Sequence, residues 1–229
     1  MSSRWFLIAV ILLTLACLAL FAFWPELDLQ VARKFFAAGK FTGLTTSGEV
    51  WRKIFYWAPY VVLAGFLLAY LARRLGWRRS GPDGRAVLFL VLSLALGPGL
   101  AVNAVLKEIS HRPRPVQTQE FGGPWSFRPP YKFDGDCKKN CSFVSGEVAA
   151  AAWTLAPALL AAPPVRLWAI GASLLFTVAV GALRMSFGGH YLSDAALAAL
   201  ITFVIVLALY RLYAGAASPA RAQGKRRES

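Results

Sequence analysis

Six long apolar runs, separated by polar segments, dominate the chain. The runs cover residues 5–24, 54–72, 86–106, 142–162, 165–183 and 191–213. Each holds roughly 20 residues, about the length that an α-helix needs to cross the hydrocarbon core of a bilayer. The pattern therefore predicts an all-α fold, an integral membrane bundle of six transmembrane helices.

The first run is interpreted as a retained membrane helix, although a secretory signal peptide is the alternative. Trp5 and Trp24 stand at its ends, where membrane-interface aromatics are common. Only Arg4 precedes it as a basic residue, and no clear small-x-small cleavage pattern follows. Both observations favour a helix that stays in the protein.

The segments between the runs predict smaller features. Leu27, Val31 and Phe35 recur at helical spacing, which predicts a short interfacial helix. The Gly-Pro-Gly step at 97–99 predicts a kink in the third span. The long polar segment 107–141 is rich in aromatic residues, so we expect an ordered loop that packs at the membrane surface.

Composition and charge narrow the class of protein. The chain is 57% hydrophobic and 16% charged, with a mean hydropathy of +0.52, which excludes an ordinary soluble domain. Its net charge of +14 implies an anionic partner. The basic residues lie between apolar runs, so phospholipid head groups or a phosphorylated lipid fit better than nucleic acid. We expect one membrane domain over 1–213 and a disordered basic tail over 214–229.

Three charged or polar stretches lie at the margins of the apolar runs, where charge is costly and often functional. They are Lys107…Arg114-Pro115, Ser145-Gly146-Glu147 and Arg184…His190…Asp194. In an up-and-down bundle, the end of span three, the start of span four and the junction of spans five and six share one side. The topology therefore predicts that all three stretches meet at one membrane face.

Two hints place that face outside the cytoplasm. Lys and Arg residues divide almost evenly between the two sides, but the short loop 73–85 on the opposite side is densely basic. On the motif side, Cys137 and Cys141 flank a short turn. They are disulfide candidates in an oxidising compartment, with two free thiols or an incomplete metal pair as alternatives.

The third stretch has the residue types of a nucleophilic site. His190 and Asp194 lie four apart, so a carboxylate oxygen can accept one imidazole N–H and leave the other nitrogen free to attack. A purely structural His–Asp pair is the alternative. Gly188 and Gly189 would let a phosphoryl group approach the backbone closely.

The other two stretches supply positive charge and backbone donors. Lys107, Arg114 and Arg184 are candidates for gripping phosphate oxygens, with snorkelling to head groups as the alternative. Ser145-Gly146 opens span four as an anion cradle or as an ordinary N-cap. Five further basic residues of the loop are interpreted as facing head groups or steering the substrate: Arg112, Arg128, Lys132, Lys138 and Lys139. With two His in the chain, no metal-ligand cluster is expected, and no cofactor.

Taken together, Lys107-x6-Arg114-Pro115, Ser145-Gly146 and Arg184-x5-His190-x3-Asp194 resemble the three-part signature of the type-2 phosphatidic acid phosphatase (PAP2) superfamily, the lipid phosphate phosphatases, in its bacterial integral-membrane branch. The resemblance covers about 86–213. It implies a metal-independent phosphatase in which His190 is the nucleophile and forms a phospho-histidine. It further implies that Asp194 orients His190, and that Lys107, Arg114, Arg184, Ser145 and Gly146 hold the phosphate.

Two positions depart from the family pattern. Glu147 stands where the family has a His that protonates the leaving oxygen, and Leu183 stands where it has a Ser. Glu147 could serve as the acid if burial kept it partly protonated. His111, or a leaving group that needs little help, are the other possibilities.

The resulting hypothesis is a hydrolase of the bacterial inner membrane with its active site facing the periplasm. Its substrate would be a lipid-linked phosphate: a lipid A-type phosphate, undecaprenyl diphosphate or phosphatidylglycerol phosphate. The cations of the 107–141 loop favour the bulky, highly anionic lipid A type. A lipid phosphotransferase and a non-catalytic lipid-phosphate binder or transporter are the alternatives.

Overall fold

A computed structural model of the chain describes residues 3–217. The predicted tail overlaps this range at residues 214–217, which are not disordered but continue the last helix. The rest of that tail lies outside the described residues.

The described range is almost entirely helical. The α-helices are α1 (Ser3–Phe23), α2 (Glu26–Lys34), α3 (Thr46–Arg74), α4 (Gly84–Leu94), α5 (Lys107–Ile109), α6 (Gly146–Trp153), α7 (Leu155–Leu160), α8 (Pro163–Ser186) and α9 (Leu192–Ala217). A π-helix, Ala95–Leu106, joins α4 to α5. A two-stranded antiparallel ribbon pairs β1 (Phe36–Ala37) with β2 (Lys40–Phe41), and 3-10 helices cover Pro115–Gln117 and Gln119–Phe121. The predicted all-α membrane bundle is confirmed.

The predicted number of spans needs one correction. Among the described residues, five helical stretches are long and apolar enough to cross a membrane, and they correspond to predicted spans one, two, three, five and six. The fourth is a shorter helical stretch, Gly146–Leu160, divided at Thr154. It can be short because other helices surround it, so its length need not match the bilayer.

Helix α6 lies at the centre of the bundle. Its residues Val148 to Trp153 are all buried, and it packs against α3, the π-helix, α8 and α9. Four consecutive alanines, 149–152, let these neighbours approach closely. The Trp153 indole N–H donates to the Leu90 carbonyl and to the Ser93 hydroxyl, so its buried polar group is satisfied. The N-terminus of α6 is thereby held at the end of the bundle opposite loop 73–85, which we call the motif face.

The interruption predicted at residues 97–99 takes the form of the π-helix. Pro98 has no N–H to donate, and a wider helical turn accommodates it without ending the span. The Asn103 amide donates to the Pro98 carbonyl over 2.7 Å. The span therefore continues as far as Lys107, which it places at the motif face.

The segments on the motif face are ordered by aromatic packing. A short helix, α2, is found where the interfacial helix was predicted. Phe121 of the long loop packs with Phe36 and Phe41 of the ribbon, and Phe127 packs edge-on against Tyr191. The loop therefore lies against the protein, directly over the start of α9.

Candidate active site

Backbone hydrogen bonds join the three predicted stretches at one face. The Ser145 N–H donates to the Asp194 carbonyl over 3.2 Å, which ties the start of α6 to the start of α9. The Val116 N–H donates to the Gly188 carbonyl over 3.0 Å, which ties the first stretch to the turn before His190. The predicted meeting of the three stretches is therefore found in the fold.

His190 is 2% exposed and has a fixed orientation. Its Nδ1 lies 2.7 Å from the Ser142 carbonyl oxygen and 3.9 Å from Asp194 Oδ2. The expected hydrogen bond to Asp194 is therefore replaced by one to the backbone of Ser142. Since a carbonyl only accepts, Nδ1 carries the proton and Nε2 keeps its lone pair.

Asp194 influences the position of His190 indirectly, through Ser142. Its Oδ2 accepts from the Ser142 hydroxyl over 2.5 Å and from the Tyr191 N–H over 2.9 Å. Asp194 thus holds the side chain of Ser142, and the backbone carbonyl of the same serine holds His190. Ser142 was missed in the sequence because a serine before an apolar run is a common residue with no distinctive spacing.

A second carboxylate and a buried arginine complete this network. Arg112 donates to Asp194 Oδ1 over 2.5 Å and to Asp28 Oδ2 over 2.7 Å, and the two carboxylates are fully buried. Asp28 also accepts from the N–H and the hydroxyl of Ser193. Arg112 was interpreted as a head-group residue, and that interpretation is wrong: it is 1% exposed.

The pKa values follow from this burial and charge. Burial, followed by the positive charges of Arg184, Arg114 and Lys107, holds the pKa of His190 well below its ordinary 6.5. Burial alone would lower the pKa of Arg112, but the two carboxylates hold it above its usual value. His190 is therefore neutral at pH 7, the form that a nucleophile needs.

The three predicted phosphate-binding cations lie within electrostatic range of His190, and one of them, Arg114, is held by hydrogen bonds. Arg114 donates through Nε and Nη2 to the Asn140 carbonyl over 3.2 and 2.9 Å. Arg184 is 4% exposed, and its Nε has no hydrogen-bond partner among the described residues. Lys107 lies within electrostatic range of both arginines.

The two glycines before His190 each leave room for a neighbouring side chain. A Cβ on Gly189 would lie 2.6 Å from Arg184 Nη2, and a Cβ on Gly188 would lie 2.4 Å from the Phe41 ring. Gly188 also has a φ of +60°, which favours glycine. The absence of a side chain at these two positions therefore leaves room for the Arg184 guanidinium and the Phe41 ring.

Ser145 and Gly146 form the N-terminus of α6. The buried Ser145 hydroxyl accepts from the Val148 N–H over 3.5 Å, so the N-cap alternative is observed. A Cβ on Gly146 would lie 2.4 Å from Asn103 Oδ1, so this glycine admits the π-helix. The amide end of α6 nevertheless points toward the face that holds the cations, as an anion site requires.

Both candidates for the general acid already contact other groups of the protein. Glu147 Oε1 accepts from Arg52 Nε and Nη2 over 3.2 and 3.1 Å, and it lies 3.5 Å from Arg184 Nε. His111 Nδ1 lies 2.9 Å from the Cys137 carbonyl. Arg52, which reaches the site from α3, was not identified in the sequence.

The structure pairs Cys137 with Cys141 in a disulfide. The short loop that it closes contains Asn140, which binds Arg114, and it ends one residue before Ser142, which binds His190. The disulfide therefore constrains two residues that hold the site. Among the described residues, no group of three or more His, Cys, Asp or Glu is arranged to hold a metal ion.

Two comparisons with known proteins find matches to this chain. Residues 86–217 match the model of the PAP2 superfamily. The chain is 35% identical over 213 residues to a lipid A 4′-phosphatase of Rhizobium etli, covering 86% of this chain and 83% of that protein. It is 34% identical to one of Rhizobium leguminosarum, covering 86% and 91%, and 31% identical to one of Francisella tularensis subsp. novicida, covering 84% and 88%.

No solved structure gives a significant match. The match to the family model covers the site-bearing part of the chain, and the relatives extend the likeness over most of its length. Together with the membrane-spanning helices, these findings establish that the chain is a multi-pass membrane protein that belongs to the PAP2 superfamily.

Proposed function

We propose that the protein is a lipid phosphatase that removes the 4′-phosphate from a lipid A-type substrate through a phospho-histidine on His190. The observation that carries the chemistry is the His190 ring, whose Nδ1 is fixed on the Ser142 carbonyl so that Nε2 keeps its lone pair, within electrostatic range of three cations. The curated relatives, all lipid A 4′-phosphatases, support the choice of substrate.

In the proposed reaction, His190 Nε2 attacks the phosphorus and the bond from phosphorus to the sugar oxygen breaks. Lys107, Arg114 and Arg184, with the amide end of α6, bind the non-bridging oxygens as charge redistributes. The leaving oxygen takes a proton from water. The hydroxide that this leaves then attacks the phosphorus of the phospho-histidine, which breaks the bond from phosphorus to Nε2, releases inorganic phosphate and restores neutral His190. The positive side chains provide the charge stabilisation, so the scheme uses no metal.

We place the protein in a bacterial inner membrane with this site facing the periplasm. The disulfide lies on the face that holds the site, and structural disulfides persist in oxidising compartments. The arginine-dense loop 73–85 lies at the opposite end of the bundle, as the positive-inside rule expects of a cytoplasmic loop. We further propose that 1–213 act as one domain around a core at about 86–213, since Asp28 and Arg52 both reach the site.

The test is phosphate release by the detergent-purified protein from lipid A, undecaprenyl diphosphate and phosphatidylglycerol phosphate. We expect release from lipid A, with mass spectrometry showing a product that keeps its 1-phosphate. Absence of release from every lipid would contradict the proposal. Substrate loss without free phosphate, in the presence of an acceptor lipid, would indicate a phosphotransferase instead.

We expect the disulfide to affect catalysis. The Cys137→Ser/Cys141→Ser double variant should have a kcat/KM about tenfold lower, because the loop that holds Arg114 and precedes Ser142 becomes less ordered. Dithiothreitol should produce the same loss in the wild type and no further loss in the double variant. Cys17→Ser, which removes the free cysteine in α1, is the matched control and should stay sensitive to reductant. Equal activity of reduced and oxidised wild type would contradict the prediction.

A further inference from the structure

A fourth cation reaches the site from outside the part of the chain that matches the family model. Arg52 lies near the N-terminal end of α3, whereas the match begins at residue 86. Its guanidinium donates two hydrogen bonds to one oxygen of Glu147, across 95 residues of sequence. A long-range contact of this kind fixes where the arginine head group lies.

Glu147 joins this arginine to a predicted phosphate ligand. The same oxygen that accepts from Arg52 lies 3.5 Å from Arg184 Nε. The two guanidinium groups also flank one aromatic ring, at 6.0 and 5.8 Å from the centroid of Phe187. Glu147 and Phe187 therefore hold Arg52 and Arg184 side by side.

This arrangement opposes the use of Glu147 as a proton donor. A proton donor needs a carboxyl oxygen that can approach the leaving group, whereas Glu147 Oε1 accepts two hydrogen bonds from Arg52 and lies against Arg184 Nε. Arg52 also pairs with a second carboxylate, since its Nη1 lies 3.4 Å from Oε2 of Glu49, one turn earlier on α3. The carboxylate of Glu147 thus acts as a fixed anchor between two cations.

Arg52 is the more accessible of the two arginines. Its side chain is 37% exposed, whereas that of Arg184 is 5% exposed. It also lies within electrostatic range of Arg114. The guanidinium of Arg52 is therefore the solvent-accessible one of the pair and lies close to a further cation of the site.

We propose that Arg52 is a further phosphate-binding residue and that Glu147 is the positioning residue that holds it beside Arg184. The assignment rests on the proposed function for its kinetic consequences, but binding of phosphate itself does not depend on the lipid. Glu147 occupies the position of a proton donor in the family signature and has a different task in this chain.

The kinetic test compares Arg52→Met, Glu147→Gln and the double variant. Each single variant should lower kcat/KM about tenfold, to a similar degree on substrates with good and poor leaving groups. The double variant should lose little more than either single one, because both remove the same contact. A loss in Glu147→Gln that grows on poorer leaving groups and adds to that of Arg52→Met would identify a proton donor and overturn the proposal.

Two further variants guard against a general loss of structure. Arg52→Lys keeps the charge and should recover part of the activity. Lys53→Met removes the exposed neighbouring cation and should behave as the wild type. If Lys53→Met loses as much as Arg52→Met, the effect is diffuse charge and the specific assignment fails.

A binding measurement separates this inference from the proposed function. Inorganic phosphate titrated into the purified protein by calorimetry should bind about tenfold more weakly to Arg52→Met and unchanged to Lys53→Met. A wild type that binds phosphate in this Arg52-dependent way, yet releases none from lipid A, would refute the proposed substrate and leave the assignment of Arg52 standing. Unchanged phosphate affinity in Arg52→Met would refute the assignment.

Discussion

Replacement of His190 by alanine is expected to abolish phosphate release, with a fall in kcat on the order of a thousandfold or more. The reaction proposed here has no other covalent acceptor for the phosphoryl group. His190 Nε2 is the nitrogen left free when Nδ1 binds the Ser142 carbonyl. Loss of the ring also leaves the cations around it able to bind the substrate, so KM should change far less than kcat.

His190→Asn provides the sharper version of this test. Its side-chain amide can still donate to the Ser142 carbonyl, but it has no nucleophilic nitrogen. It should be as inactive as His190→Ala while keeping the wild-type melting temperature. In the wild type, rapid quenching with phosphorus-labelled substrate should trap an acid-labile, base-stable phosphoprotein that both variants lack. Appreciable turnover by His190→Asn would exclude His190 as the nucleophile.

The pH profile gives an independent check on the same residue. Burial and the neighbouring positive charges hold the pKa of His190 well below 6.5. Because the neutral form attacks, kcat/KM should fall as the pH drops through this lowered pKa and not at 6.5. A mutation that removes one of the cations, such as Arg114→Met, should move the acidic limb toward higher pH in the residual activity.

The meeting of the three charged stretches was predictable because it depends only on chain order. Helices that alternate in direction place the end of one span and the start of the next on the same side, whatever their packing. The spacing from His190 to Asp194 was expected to place both on one helix face, but α9 begins at Leu192, so His190 precedes the helix. The choice of the Ser142 carbonyl as partner depends on how an irregular loop folds over α9, and no sequence period encodes it.

The contributions of Asp28, Arg52 and Arg112 could not be predicted for a related reason. Asp28 lies 165 residues from Ser193, and Arg52 lies 95 residues from Glu147. Arg112 resembles the other basic residues of its loop in sequence. Only its position against the rings of Phe127 and Tyr191 makes it a core residue. Long-range polar contacts of this kind depend on which charged side chains the tertiary packing buries, and the sequence alone does not specify this.

Replacement of Arg112 by methionine is expected to have the second largest effect, on stability as well as on activity. The substitution leaves Asp28 and Asp194 fully buried without their shared cation. Removing one partner of a buried ion pair typically costs about 3–5 kcal/mol. The unfolding midpoint in detergent, followed by tryptophan fluorescence, should therefore fall strongly.

The activity of Arg112→Met should fall further than its stability explains. Asp194 loses one of the groups that hold it, so the Ser142 hydroxyl and the His190 ring lose their fixed positions. We expect kcat to drop about a hundredfold in the folded fraction, with little change in KM. Arg112→Lys should recover little, because an ammonium group cannot bridge two carboxylates and the Arg128 carbonyl with one planar fork.

Asp28→Asn separates the two consequences of this network. It removes one buried negative charge but leaves Arg112 paired with Asp194, so it should be milder than Arg112→Met. In the Asp28→Asn/Arg112→Met double variant, Arg112→Met should lower stability less than it does in the wild type, since one of the two unpaired carboxylates has been neutralised. Additive losses would show that Asp28 and Arg112 act independently. Coupled losses would show that α2, far from the family signature in sequence, is part of the structure that orients His190.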